Sequence, residues 1–275
     1  MISHDPKAIK GARHVEFVGR ATLILGDCLD VMPSLPKASH VITDPPYESH
    51  MHAAKRGKKA FGSARRIRVD GHANPPPVDF ASIDGVREPF ADRLAKICDG
   101  WVLIFSTPEG IAPWCDEIER VNIKYKRACF WVKPDSAPQF NGQGPAMAVE
   151  SFVAAWCGAG VSQWNGGGKR NFWIFPTNNS ERHGVHPTEK PLALMRALVR
   201  DFTRPGQVVL DPFMGSGSTG VAAVQTDRFF VGIETSERYF EIACERLRDA
   251  QKTPFLFSQD GAANQDSFFS AGAKV

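Results

Sequence analysis

The run WVLIFS at residues 101–106 carries no polar side chain between Trp101 and Phe105. Successive side chains of a strand point to opposite faces, so a run that is apolar at odd and even positions alike must be covered on both sides. HVITD (40–44), QVVLD (207–211) and FFVGIE (229–234) share this character, and KRACFWV (126–132) and ESFVAAW (150–156) read as further strands. HVEFVG and ATLILGD, within 14–27, form either an opening hairpin or one strand with its lead-in. Helical patterns alternate with these runs. From Glu189 to Phe202, the residues Leu192, Met195, Leu198, Val199 and Phe202 fall on one helical stripe, with Pro187 and Pro191 at its head, where proline is tolerated. SGSTGVAAVQ reads as a helix starting at residues 216–218, and a last helix runs from about Ser236, its expected cap, to Asp249. Such alternation predicts an α/β fold, a mainly parallel sheet with helices on both faces.

At 275 residues the chain is long enough for one domain of this kind with a full core. The expected domain spans 1–250, with insertions at 48–87 and 158–185, and the tail at 251–275 reads as flexible. The first insertion holds HANPPPVDF and the cations Lys55, Arg56, Lys58, Lys59, Arg65, Arg66 and Arg68, with no acid among them. That density suits a polyanion, and it equally suits a solvated loop. The second insertion is glycine-rich yet aromatic, and includes Trp164, Lys169, Arg170, Asn171 and Trp173. No apolar run approaches the ~18 residues of a membrane span, and the polar start lacks the apolar core of a signal peptide. The six cysteines form no CxxC pair and read as reduced thiols of a cytoplasmic protein without a membrane partner. His50 and His52 form an HxH pair without a third ligand at sensible spacing, so no metal is expected. A net charge of +3 decides nothing about partners.

Two stretches carry chemistry. VITDPPYESH (41–50) ends an apolar run on Asp44 and follows it with Pro45, Pro46 and Tyr47. VVLDPFMGSGSTG (208–220) ends a strand on Asp211, passes through a turn of small residues and opens a helix. Gly215, Gly217 and Gly220 match the GxGxxG fingerprint of dinucleotide binding, and Glu234 closes the next strand, where an acid can accept from both ribose hydroxyls. On these features alone, a nicotinamide cofactor fits as well as any other adenosine cofactor.

Taken together with DPPY, the chain resembles the DNA amino-methyltransferases that use S-adenosylmethionine. The resemblance covers most of the chain and rests on the order of its motifs. GDCLDVM (26–32) is similar to the segment that holds the cofactor adenine, which implicates Asp27 and Cys28, although Asp27 can also simply cap the next helix. DPPY (44–47) resembles the catalytic motif. HPTEKP (186–191), with His186, Thr188 and Lys190, and DPFMGSGST, with Asp211, Phe213, Gly215, Ser216, Gly217, Ser218 and Thr219, resemble the methionine-side motifs. Glu234 matches the ribose-binding acid. Lys190 would reach the cofactor carboxylate or lie on the surface, and Ser218 and Thr219 can equally be plain helix-start residues. The family more often has two threonines at 218–219, a departure that keeps the hydroxyl. A catalytic motif ahead of the glycine motif is the order of the β class. The resemblance implies a Rossmann-like methyltransferase fold of seven strands, with DPPY and DPFMGSG at the carboxyl ends of adjacent strands.

The implied reaction is methylation of an exocyclic amine on a DNA base. That amine is a poor nucleophile because its lone pair is delocalised into the ring. Asp44 and the Pro45 carbonyl would accept hydrogen bonds from its two hydrogens, and the prolines would hold that carbonyl in place. The base must leave the duplex, and Tyr47 would stack on it. The aspartate form of the motif implies N6-adenine, with N4-cytosine as the alternative and a nicotinamide oxidoreductase as a more distant one. Carbon methylation of cytosine needs a thiolate nucleophile, and no Pro-Cys dipeptide occurs. The cations from Lys55 to Arg68, with Lys169 and Arg170, are the expected DNA contacts. The family contains monomers and homodimers, with or without a cognate restriction endonuclease.

Overall fold

The computed structural model describes residues 9–47, 83–138, 144–177 and 189–252. These build a sheet of nine strands in the order β1-β2-β9-β8-β3-β4-β6-β5-β7, two more than the implied seven. The strands are β1 (Ala12–Val18), β2 (Ala21–Gly26), β3 (His40–Thr43), β4 (Trp101–Ser106), β5 (Lys124–Val132), β6 (Val149–Trp156), β7 (Phe172–Ile174), β8 (Val208–Asp211) and β9 (Phe229–Glu234). The additions are at the two edges. β1 pairs antiparallel with β2, so the opening segment is a hairpin, and the short β7 pairs with β5. Inside the sheet, β6 runs against its neighbours, antiparallel to both β4 and β5.

Among the described residues six α-helices accompany the sheet: α1 (Cys28–Val31), α2 (Arg87–Ile97), α3 (Ile111–Arg120), α4 (Leu192–Phe202), α5 (Ser218–Gln225) and α6 (Glu237–Lys252). Side chains of β4 show why its run is apolar throughout. Trp101, Leu103 and Phe105 join one core with residues of α4, α5 and α6, including Leu198, Ala222 and Leu247. Val102 and Ile104 join the other core, with Phe90 and Leu94 of α2 and Ile118 of α3. Every member of the stripe from Leu192 to Phe202 lies in the first of these cores. The helix itself starts one residue after Pro191, whose φ of −58° suits a helix entrance. All six cysteines are free, and Cys28, Cys98, Cys129 and Cys244 are buried. Among the described residues no helix is long and apolar enough to cross a membrane.

Candidate active site

Four neighbouring parallel strands deliver acids to the same edge of the sheet. Asp27 follows β2, Glu234 ends β9, Asp211 ends β8 and Asp44 follows β3. Adjacent strands lie ~4.8 Å apart, so the row extends over about 14 Å. Its last two members are linked through the residue before Asp44: the Thr43 hydroxyl donates to Asp211 Oδ1 at 2.7 Å. The DPPY segment and the glycine turn therefore meet at one place, the carboxyl-end crevice where open α/β sheets bind ligands.

Asp44 sits in a chain of alternating charges. Lys190 Nζ donates to Asp44 Oδ2 at 2.6 Å and to the Tyr47 hydroxyl at 3.2 Å. The same ammonium lies 3.0 Å from Glu150 Oε2, an ionic contact without hydrogen-bond alignment. Lys133 holds the other Glu150 oxygen at 2.6 Å. The rings of Phe105 and Tyr47 complete the cage, with centroids 5.0 and 5.7 Å from Lys190 Nζ. Lys190 precedes Pro191, which disfavours helical backbone and keeps the residue extended. Burial works against the Lys190 ammonium, but Asp44, Tyr47 and Glu150 outweigh it and hold its pKa well above the ordinary lysine value. Burial raises Asp44 above the usual carboxylate range in spite of Lys190, with Glu150 pushing the same way. Glu150 moves down: burial opposes its charge, and Lys190 and Lys133 overcome it. Asp44 Oδ1 is buried and has no hydrogen-bond partner among the described residues. A buried acceptor in that state is costly unless something else binds it.

The glycine turn is held from both sides. Gly215 N–H donates to Glu234 Oε2 at 3.0 Å, and Ser236 N–H donates to Glu234 Oε1 at 2.7 Å. Gly217 has a φ of 83°, the left-handed region that a glycine adopts without strain, and α5 starts at the next residue. A Cβ on Gly220 would stand 2.6 Å from the Phe230 ring, so the third glycine of the fingerprint lets α5 approach β9. Asp211 Oδ1 also accepts from Phe213 N–H at 3.1 Å, and the Thr219 hydroxyl bonds the same carboxylate. Burial raises its pKa to about 6 against the pull of these bonds. Ser216 and Ser218 are buried beside Arg246 of α6, whose Nη1 donates to the Ser216 carbonyl and hydroxyl at 2.8 Å each. Its Nη2 pairs with Glu189 at 2.6 Å. Of the consecutive residues Glu189 and Lys190, the first thus holds Arg246, which bonds the glycine turn, and the second holds the DPPY segment.

The remaining expected residues fall in different places. Asp27 is exposed and caps α1, its Oδ1 accepting from Leu29 N–H at 2.8 Å, so the capping alternative is realised. Cys28 is buried, and burial pushes its thiol up to about 12. Phe213 packs edge-on against Phe90, with ring centroids 5.1 Å apart. His186, Thr188 and the cluster Lys55, Arg56, Lys58, Lys59, Arg65, Arg66 and Arg68 lie outside the described residues. Lys169 and Arg170 are not brought to Asp44. Lys169 pairs with the buried Asp201 at 2.7 Å, near the end of α4 opposite Lys190, and that helix is roughly 16 Å long. Trp164, Asn165 and Trp173 pack on the same end, around Phe202 and Thr203. Lys133, Glu150, Glu189 and Arg246 belong to the site and were not foreseen. Glu189 stands inside the quoted HPTEKP motif, and only the other three lie outside every motif.

A family model described as DNA methylase, covering N6 and N4 amino-methyltransferases, matches residues 38–245. The chain belongs to this family. The DNA methylase is also similar to single proteins. It aligns with YubD of Escherichia coli (strain K12), named as a methylase, at 45% identity over 101 residues, 37% of this chain and 40% of that one. The Type II methyltransferase M.Cfr9I of Citrobacter freundii is 27% identical over 267 residues, covering 83% of this chain and 88% of its own length. The crystal structure of the M1.HpyAVI-SAM complex superposes with a TM-score of 0.63 at 24% identity, over 82% of this methylase and 98% of that chain, a likeness of fold. The family uses S-adenosylmethionine as its methyl donor. The crevice suits that group: acids in a row face a ligand with two cationic centres and a ribose, and the backbone beside them is a glycine turn.

Proposed function

We propose that this methylase transfers a methyl group to N6 of an adenine flipped out of DNA, in the cytoplasm, with Asp44 at the reacting centre. One observation carries the reading: the buried, unpartnered Oδ1 of Asp44, beside the strand that leads into the glycine turn. Its oxygen is a prepared acceptor for one amino hydrogen, and the Pro45 carbonyl serves as the second. Two such bonds favour a pyramidal nitrogen with a localised lone pair. Tyr47 gives the flipped base a stacking face, worth ~1–3 kcal/mol. S-adenosylmethionine supplies the electrophilic methyl group when bound. Asp211 orders the turn that would hold its methionine end, while Glu234 would meet the ribose and Asp27 with Cys28 the adenine. His186, Thr188, Ser216, Ser218 and Thr219 complete the cofactor contacts in this reading. Lys190 pairs with Asp44 in place of the cofactor carboxylate.

The aspartate form of DPPY favours adenine, and N4-cytosine is the alternative that the family also includes. The cations from Lys55 to Arg68 supply phosphate contacts, and Lys169 is assigned to packing on α4 instead. By likeness to the Type II methyltransferase M.Cfr9I, its setting in this reading is beside a restriction endonuclease. The test is tritium transfer from labelled cofactor to duplex DNA, followed by digestion to nucleosides. Label in N6-methyladenine is expected; label in N4-methylcytosine overturns the adenine assignment, and no label in DNA overturns the reaction.

A further inference from the structure

We propose that Glu150 is a positioning residue for the methylation reaction: through Lys190 it keeps Asp44 Oδ1 facing the incoming amine, and it holds the Lys190 charge once Asp44 has taken up a proton. The inference rests on the function proposed above and concerns an acid that lies outside every motif of the chain.

Glu150 stands near the start of β6, which runs antiparallel to β4, so its beginning lies at the carboxyl edge. The charges there alternate as Lys133, Glu150, Lys190 and Asp44, with contacts of 2.6, 3.0 and 2.6 Å. They sum to zero while both acids are ionised. Methyl transfer changes that sum. The amine nitrogen forms its bond to carbon as the methyl–sulfur bond breaks, and one N–H proton passes to Asp44 Oδ1. Asp44 is then neutral, and Lys190, only 7% exposed, would be a buried cation without a counter-ion. Glu150 is already 3.0 Å away and is itself fixed by Lys133, so the ammonium keeps a partner throughout. While Asp44 is ionised, Lys190 is shared between the two acids. Its bond to Oδ2 fixes the rotation of the carboxylate and leaves Oδ1 for the substrate.

The groups that face Asp44 are Lys190, Glu150, Tyr47 and, at the end of the neighbouring β8, Asp211. Removing single charges from this set has opposite consequences. Glu150→Gln takes away a negative neighbour and frees Lys190 for Asp44, so the Asp44 carboxyl titrates at lower pH. Lys190→Gln removes the stabilising cation, so it titrates at higher pH. Lys133→Gln lets Glu150 draw Lys190 away and also moves it upward.

The readout is the carbon-13 titration of the Asp44 carboxyl in cofactor-free protein, identified by its loss in Asp44→Asn, alongside single-turnover methyl transfer to DNA. Glu150→Gln is expected to slow transfer about tenfold or more, with cofactor affinity within about twofold of wild type and partial recovery in Glu150→Asp. Displacements of opposite sign for Glu150→Gln and Lys190→Gln, with that rate loss, support the assignment. Displacements of one sign, or none, or a Glu150→Gln rate equal to wild type, overturn it. If Glu150→Gln does not fold, the Lys133→Gln titration decides: an upward displacement supports, none overturns. Wild-type protein without transfer to DNA would refute the proposed function instead, and the titration still reads the charge coupling.

Discussion

Replacing Asp44 with asparagine keeps the shape of the side chain and removes its charge. Lys190 Nζ stands 2.6 Å from Oδ2 and can only donate, so it orients the new amide with its oxygen toward the ammonium. The amide NH2 then occupies the place of Oδ1, presenting a donor to an amine that itself needs an acceptor. The variant thus loses a charge-assisted hydrogen bond of ~1.5–3 kcal/mol and gains an opposed donor pair. A combined effect of ~2.7–4 kcal/mol corresponds to a rate about 10²–10³-fold slower. Stability changes less, because Lys190 retains Glu150 and avoids the ~3–5 kcal/mol of a stranded buried charge. Single-turnover tritium transfer to duplex DNA measures the rate, with thermal melting and cofactor binding as controls. A variant within about threefold of wild type would refute the reasoning. Adding Lys190→Gln to Asp44→Asn lets the amide rotate, so the double variant should be faster than Asp44→Asn alone.

Arg246→Leu leaves the Glu189 side chain, 4% exposed, without its cation. A loss of ~3–5 kcal/mol is expected by urea denaturation, together with weaker cofactor binding. Gly220→Ala places a methyl 2.6 Å from the Phe230 ring and should cost ~1–3 kcal/mol of stability, read from the same curves. Asp211 titrates near 6 when folded, above its ordinary 3.8, so the folded state favours the protonated form. Its contribution therefore falls as pH rises from about 3.8 to about 6 and is flat above, and Asp211→Asn, by removing that fall, should make the slope of stability against pH more positive in that window only. Neutralising Lys55, Lys58, Arg65 and Arg68 together should reduce the slope of log K against log salt for DNA by about 3.6, and an unchanged slope would exclude phosphate contacts there.

The central strands were legible because burial on both faces leaves no room for alternation, and β4 and β9 have the limits that their apolar runs suggest. DPPY and the glycine turn were legible because few structures need that residue order. Other parts depend on information that a linear pattern does not carry. Helix α2 buries Phe90, Ala91, Leu94 and Ile97 at helical spacing, a signal that was present and is masked by the neighbouring irregular segment. The three residues of β7 are too few for a period. Glu150 was hidden for a topological reason. Acids at the ends of parallel strands can be anticipated as lining a crevice, but an antiparallel strand presents its beginning there, and nothing local discloses its direction. Arg246 looks like any charged residue of an amphipathic helix until Ser216 and Glu189 are placed beside it. Lys169 shows the converse, a cation in an open-looking segment that turns out to neutralise Asp201.

Neighbours on an extended chain face opposite ways, and Glu189 and Lys190 use that alternation to grip two separate segments. Slipping the backbone here by a single residue would set Glu189 against Asp44 in one direction, or Lys190 against Arg246 in the other. Either way one attraction would become a repulsion and the other would be lost. Length variation is therefore forbidden at this step of the chain, however freely the nearby loops change size.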